Sequence, residues 1–553
     1  MRHPRLLGAV AGLVAAAAAL GAAEAVSALA RSFQSPVLDV GDRVVDAAPR
    51  WLKDRAIDWF GTNDKVALLV GIGTILAAYA ALVGALAFGR RPAVALIGIA
   101  AFGAIGAYAS QTTRRDAPWT AVTPSLVGAA AGVGALWALR RLATRRGGID
   151  VDDLDDLDDL DDLDDGPVPL DDVGGSSTPG AARRPSIAEL VPNDRRRFLI
   201  GAAGTTAAAV VLGAAGRAGR RRYSVAGERR ALAVPTAADP LSPAPASVTA
   251  PVDGVSPFFT PNRGFYRIDT ALSVPQVDVG SWRLRVNGMV ERELELSYDD
   301  LRDRELVEAD ITLTCVSNEV GGKLLGTARW LGVRLDALLD EAGVAPDADQ
   351  VVGRSVDGYT CGFPTAALDG RDALVAIAMN GELLPLEHGF PARLIVPGLY
   401  GYVSATKWLE QIELTRFDRF DQYWVERGWV DDAPIKVQSR IDTPKGLASV
   451  AAGTVAVAGV AWAQTRGIDG VELQFDDGDW VAATLADERN VDTWRQWSYA
   501  WDATPGRHTI RVRAIERVAG GGNPADGPIQ TAERSEPFPS GATGQHQIVV
   551  LVR

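Results

Sequence analysis

The stretch DITLTCVSNEVGGKLLGTARW, residues 310–330, decides how the second half of this 553-residue chain is read. Ile311, Leu313 and Cys315 alternate with threonines, the period of a strand. The apolar side chains and the thiol therefore share one face, and the sulfur points inward from the strand end. Gly321 and Gly322 follow in a loop that can approach a bound group closely. A cysteine placed this way reads either as a small buried hydrophobe, the common fate of free cysteines, or as a ligand. The only other cysteine, Cys361, follows Tyr359 and Thr360 in a second strand-like segment and reads as a core residue. Two thiols cannot build a disulfide framework.

Downstream, residues 388–401 run HGFPARLIVPGLYG, followed by Lys407, Trp408 and Leu409. An arginine beside a histidine and a lysine is an anion clamp, since the guanidinium fork matches phosphate oxygens. Taken with the cysteine loop and Met379 to Gly398, the pattern resembles the sulfite oxidase family of molybdenum enzymes, in its membrane-anchored actinobacterial type, over about residues 250–553. The resemblance implies a molybdenum–molybdopterin cofactor with the Cys315 thiolate as metal ligand, which suits a soft donor. It also implies pterin and phosphate contacts from Asn262, Tyr266, His388, Arg393, Gly401, Ser404 and Lys407. Ser355 or Asp357 takes the strand-end position that bonds the pterin. Pro261 and Arg263 depart from the family pattern on either side of the asparagine, leaving anion binding to Arg263 or Arg267. Tyr423, Trp424, Arg427 and Trp429 read equally as a substrate mouth, with Tyr423 and Arg263 joining Cys315 as catalytic candidates, or as a domain interface.

Trp282 to Val290 alternates as a strand and Leu296 to Leu301 begins a short helix. Residues 330–343 carry helical spacing closed by Gly343, Val351 to Tyr359 reads as a strand, and Phe363 to Leu368 as a short helix. Such a mixture indicates an α+β domain, here the sulfite oxidase fold that the resemblance implies. From Ala433 onward, short strands with regular turn signals indicate an immunoglobulin-like β-sandwich. In relatives that module often mediates dimer contacts, so a homodimer is one expectation.

The first 220 residues are different in kind. Leu6 to Leu29, Val66 to Phe88, Pro92 to Ala109 and Val122 to Leu139 are apolar runs of about the 20 residues that cross a bilayer. The first, preceded by Arg2 and Arg5, reads as a retained anchor rather than a cleaved signal. Arg2, Arg5, Arg90, Arg91, Arg140, Arg141, Arg145 and Arg146 mark cytoplasmic ends, with Arg114 and Arg115 against the trend. The net charge of −13 owes most of its excess to the ten aspartates of the Asp-Asp-Leu repeat at 152–165. That repeat cannot bury a core and reads as a solvated spacer, or else as a docking site for a basic partner. Arg195 to Leu199, ahead of an apolar run ending at Ala215, resembles a twin-arginine export signal; the plain reading is the basic flank of a fifth span. Both readings put the chain beyond about residue 220 outside the cytoplasmic membrane.

The expected division is four transmembrane helices (1–145), an acidic disordered cytoplasmic linker (146–194), the twin-arginine-like motif with a fifth helix (195–220), and an extended tether (221–257). A molybdopterin-binding domain (258–432) and the sandwich (433–553) complete it. No haem or iron–sulfur motif is present, so electrons must pass to a separate carrier. The expected activity is two-electron oxo transfer on a small substrate, sulfite or an S- or N-oxide, with no nucleic-acid partner. The rival reading is a surface binding or scaffold protein that kept the fold and lost the metal.

Overall fold

The computed structural model describes residues 4–49, 64–88, 92–112, 118–144, 191–520 and 526–553, with isolated positions between 50 and 63. The Asp-Asp-Leu repeat and the rest of the expected linker up to residue 190 lie outside the described residues. The chain divides into two compact units, Met1–Tyr223 and Ser224–Arg553.

The first unit is helical: α1 (Pro4–Ser27), α2 (Pro36–Ala47), α3 (Asp64–Ala87), α4 (Pro92–Thr112), α5 (Thr123–Thr144) and α6 (Val191–Arg220). Its central element is α1, which touches α3, α5 and α6. Small residues allow that approach: a side chain at Gly12 would overlap the Ala80 carbonyl, and one at Gly84 the Gly8 carbonyl. Close backbone contact of this kind is how apolar helices associate where no water drives them together. Phe198 at the head of α6 is wholly buried and meets the Phe88 ring edge-on at 6.4 Å. Four helical segments among the described residues are long and apolar enough to cross a membrane, namely Arg5–Ser27, Lys65–Ala87, Trp119–Ala143 and Arg196–Ala231. The expected crossing at 92–109 forms as a 21-residue helix but is not among those four. Between the first two expected spans, α2 is a 12-residue helix opened by Pro36, a residue pre-set for the first helical position.

The second unit holds four sheets. The strands before residue 416 are β1 (Arg283–Gly288), β2 (Leu294–Ser297), β3 (Leu306–Thr314), β4 (Leu325–Arg334), β5 (Gln350–Ser355), β6 (Thr360–Pro364), β7 (Leu374–Met379), β8 (Glu382–Leu383), β9 (Arg393–Ile395) and β10 (Leu409–Thr415). They form two of these sheets, β2-β1-β10-β5-β6 and β3-β4-β7-β8, with β9 paired to β7. Both sheets contribute to one apolar core that includes Leu284, Trp330, Phe363, Ile377 and Ile412. Strands β5 and β7 are buried on both faces; β7 is accordingly a continuous apolar run, LVAIAM, whereas β5 also buries Gln350, Arg354 and Ser355.

Nine further strands run from β11 (Gln438–Thr443) through β12 (Ser449–Val450), β13 (Gly453–Trp462), β14 (Ile468–Phe475), β15 (Trp480–Ala482), β16 (Thr484–Leu485), β17 (Arg495–Ala503) and β18 (Gly506–Glu516) to β19 (His546–Val552). They make the other two sheets, β11-β13-β17-β16 and β12-β19-β18-β14-β15, which share a core around Val457, Leu473, Trp497 and Val550.

Three expectations are corrected. Residues 330–334 are strand, because Trp330 and its neighbours pair with β3 on one side and β7 on the other; the helix begins at Leu335 and does end at Gly343, which has φ +71°. Residues 360–364 are the β6 strand, followed by a single helical turn at Thr365–Ala367, because they pair with β5 across a tight turn. The part of the 221–257 segment inside the second unit is not an extended tether: Val225, Ala237 and Val248 lie in the main core, and the Ala250 amide donates to Gln496 at 2.8 Å.

Candidate functional site: a thiol and a buried guanidinium in one cleft

The two sheets before residue 416 leave a cleft of about 120 Å³ that opens to solvent. Its walls carry Tyr266, Cys315, Ser355, Asp357, His388, Arg393, Gly401 and Lys407, eight of the residues expected from the sequence. Local chemistry explains why each arrives there. Cys315 directly follows β3, its amide donates to Leu324 O at 2.9 Å, and the Asn318 side chain closes the loop by accepting from the Leu324 amide at 2.8 Å. Ser355 ends β5, where a turn with Gly358 at φ +89° sends the chain back into β6 and leaves Asp357 at its tip. His388 ends a helical turn that Gly389 breaks at φ +110°; a side chain there would press on Lys407 and Arg393. Arg393 opens β9.

The electrostatics are uneven. Arg393 is 5% exposed, stacks over the Trp330 ring at 5.1 Å, and donates to the carbonyls of His388 at 3.1 Å and Ala405 at 3.5 Å. Its Nε has no partner, and among the described residues no carboxylate pairs with it. Burial pulls its pKa down to about 10, the mark of a charge held without an anion. Lys407, by contrast, meets Asp269 at 2.8 Å, and burial against that pairing leaves it at about 8. Burial raises the Asp357 carboxyl. It also raises the Cys315 thiol, the opposite of the depressed pKa that marks a cysteine nucleophile. A bound cation would reverse that shift, because a coordinating thiol is deprotonated outright.

His388 is 3% exposed and its Nε2 donates to Asn262 O at 3.1 Å; burial, then Arg393, push it down to about 4. The folded chain thus keeps it neutral while the unfolded chain takes up a proton below about pH 6.5. Stability is full above that pH and falls toward pH 4, by about 3 kcal/mol for this group. In urea unfolding of cofactor-free protein, His388→Asn is expected to remove about one proton from that pH dependence, leaving the slopes of His546, which burial also holds at about 4, and, in the opposite sense, of Asp492, which burial raises to about 6. An unchanged slope would contradict the assignment.

Several expected residues are not in the cleft lining, among them Arg267, which pairs with Asp269 at 2.8 Å. Asn262 spends its amide on Met379 O at 3.0 Å and Glu382 at 2.6 Å, and accepts from Asn380 at 2.8 Å. Ser404 is wholly buried and donates to the carbonyls of Leu399 and Tyr400, closing its own turn. Arg263 is exposed on the turn Asn262–Gly264. Tyr423 stands one ring behind the wall, 5.6 Å from Tyr359, with the Arg427 guanidinium 3.6 Å over its face. Of its neighbours, Trp424 lines the cleft while Trp429 packs on Phe538 at 5.3 Å, so this cluster reaches both cleft and C-terminal module. Sequence reasoning assigns no role to Asp269, Tyr359 or Trp408, all of which line the cleft; Tyr402, within the loop 401–407 that the resemblance places against the pterin, lines it too. Asp269 accepts from Arg267, two residues before it, and from Lys407, 138 residues away, and only the second contact ties it to the cleft.

Residues 271–424 match the family described as oxidoreductase molybdopterin binding domain. The uncharacterized oxidoreductase YuiH of Bacillus subtilis (strain 168) is 34% identical over 152 residues, 28% of this chain and 74% of its own length. The chain belongs to the sulfite oxidase-like molybdopterin oxidoreductases. Membership brings the molybdenum–molybdopterin cofactor with it. Mitochondrial sulfite oxidase of Homo sapiens is 30% identical over 303 residues, 46% of this chain and 55% of its own, so the chain spans about half the length of that relative. Among solved structures, the sulfane dehydrogenase SoxCD of Paracoccus pantotrophus superposes with a TM-score of 0.44 at 20% identity, over 53% of this chain and 84% of that one.

The cleft fits the family's cofactor on its own terms. A buried guanidinium with an unpartnered Nε asks for an anion, and the pterin phosphate is one. A soft sulfur donor lines the same cavity.

Proposed function

We propose that this chain is a membrane-anchored molybdenum–molybdopterin oxidoreductase that performs two-electron oxo transfer on a small substrate outside the cytoplasmic membrane. The observation that carries the reading is the meeting, in one cleft, of the Cys315 thiol and the carboxylate-free Arg393 guanidinium. Bound there, the molybdenum would supply oxygen-atom transfer: an S- or N-oxide, two electrons and two protons yield the reduced compound and water, and sulfite with water yields sulfate by the reverse balance. Cys315 would ligate the metal. Arg393, His388 and Lys407 would hold the phosphate and pterin, with Tyr266, Gly401 and Ser355 or Asp357 beside them. The Asn262 carbonyl orients His388 from behind. A separate carrier would supply or remove the electrons.

Charge balance favours an uncharged oxide over sulfite. Lys407 and Arg267 share the Asp269 carboxylate, each at 2.8 Å, with Arg267 outside the cleft lining; Arg393 is committed to the phosphate in this reading, and Asp357 adds no cation. The remaining walls are largely aromatic or apolar: Phe265, Ile268, Tyr359, Tyr402, Trp408 and Trp424. Arg263 and Arg267, the two sequence candidates for anion binding, lie outside them. A dianion has little to meet here.

Membrane anchoring rests on the four long apolar segments, and orientation on the basic residues at their expected cytoplasmic ends. The arginine pair at the head of α6 supports a twin-arginine-like route, which suits a domain that must be loaded before export. The two facing sheets after residue 437 support an immunoglobulin-like module, and with it a homodimer.

The test combines metal analysis with a substrate screen. Exported full-length protein should carry about one molybdenum per chain, as a single thiolate ligand site implies. With an artificial reductant, dialkyl sulfoxides or amine N-oxides should turn over with kcat/KM at least about tenfold above that of sulfite with an artificial oxidant, about 1.4 kcal/mol of discrimination. Absence of molybdenum would leave the scaffold reading; a preference for sulfite would reverse the substrate assignment.

A further inference from the structure

Strand β3, which delivers Cys315, is the outermost strand of its sheet. Its open edge would leave a row of backbone groups without partners. Near its start that edge is bridged by Asp239 to Val307; from Asp310 onward it is covered by the C-terminal module, through the loop at 489–494 and Gln464 rather than a strand. The Thr312 amide donates to Asp492 O at 2.9 Å, the Asn490 side chain to Asp310 O at 3.0 Å, and the Trp494 amide to Thr312 Oγ1 at 2.8 Å. Gln464, between β13 and β14, is wholly buried; its Nε2 donates to Thr312 O at 3.0 Å and to Thr314 Oγ1 at 3.2 Å. Beyond the cysteine, Arg440 donates to Gly322 O at 2.8 Å and is itself held by Asp442 at 2.7 Å.

We infer that Gln464 is a positioning residue for the metal site, pinning the last two threonines of β3 so that Cys315 presents its sulfur at a fixed place in the cleft. The inference rests on Cys315 as metal ligand. Two features of the side chain point this way. Its oxygen is buried without a hydrogen-bond partner, so the amide is kept for what its NH₂ group does. That group bridges a backbone carbonyl and a side-chain hydroxyl two residues apart, and the second belongs to the residue directly before the cysteine. On its other side the strand end has only β4 and the Cys315 amide bond to Leu324. Release of one edge would let the tip fray, and supporting groups of this sort set whether a ligand is held tightly enough.

The experiment uses the full chain carrying Gln464→Met, which keeps the bulk and removes the donor. In cofactor-free protein, iodoacetamide should alkylate Cys315 about tenfold faster than in the unsubstituted protein, while Cys361, buried in the core, reacts at its former rate. In loaded protein the molybdenum EPR signal should shift. Thr314→Val, which deletes one acceptor, should move both readouts in the same direction, and the double variant should add little to either single one. If Gln464→Met does not fold, Thr314→Val decides the matter alone. A Cys315 alkylation rate unchanged within about twofold, in a protein that merely melts lower, would overturn the inference. Because alkylation is read without metal, its outcome stands apart from whether Cys315 binds molybdenum, which the EPR signal of Cys315→Ser reports.

Discussion

Cys315→Ser is expected to abolish turnover, to below about a hundredth of the unsubstituted rate, while the protein folds and retains its pterin. Outer partners of metal ligands already account for about 10–100-fold each, so loss of the ligand itself must exceed that. Serine keeps the size and the strand-end position but replaces a soft, polarizable donor with a hard hydroxyl. Folding should change by no more than about 1–2 kcal/mol, the scale for an added buried hydroxyl with imperfect partners. The pterin should stay because Arg393, His388 and Lys407 are untouched. Measurement of activity, metal content and thermal melting on the same preparation separates the roles. Retained activity would remove the ligand assignment, and loss of both metal and folding would make Cys315 structural.

Arg393→Met is expected to move two quantities in opposite directions. In the cofactor-free protein the guanidinium is buried with two carbonyls and a tryptophan face but no carboxylate. Replacing a buried charge by an apolar side chain of similar length is often neutral or stabilising by about 1–4 kcal/mol. The unfolding free energy of that form should therefore hold or rise. Cofactor retention should fall at least about tenfold, because truncating one partner of a buried charge pair costs about 2–5 kcal/mol. Melting of cofactor-free material and molybdenum content of loaded material check the two halves. A variant that is less stable without cofactor and still fully loaded would show that Arg393 serves the core rather than the phosphate.

The legible part of this protein is local in origin. The alternation at 311–315 places Cys315 at the end of β3, and Gly343 closes a helix with the positive φ that glycine tolerates. The apolar runs before residue 220 become long helices because their composition allows little else. His388, Arg393 and Lys407 stand out as a string of residue types, and the chain does bring them to one cleft with Cys315. Residues 330–334 mislead because Trp330 and Leu331 sit equally well on a helical face; pairing with β3 and β7 settles them as strand. The segment before residue 257 resembles a tether in its prolines and alanines, yet Val225, Ala237 and Val248 find partners far along the chain.

By itself the amino-acid sequence determined the presence of a thiol at a strand end, an arginine-histidine-lysine set between 388 and 407, and an apolar helical half, since each is carried by a local stretch of the chain rather than by distant partners. Tertiary structure alone decided that Asp269 pairs with Lys407, that Arg393 meets no carboxylate among the described residues, that Ser404 and Arg263 stay out of the cleft, and that Gln464 reaches across 150 residues to Thr314. The reason is physical: a side chain's charge and hydrogen-bond state are set by whatever folding brings within about 3–4 Å, and such neighbours leave no periodic trace along the chain.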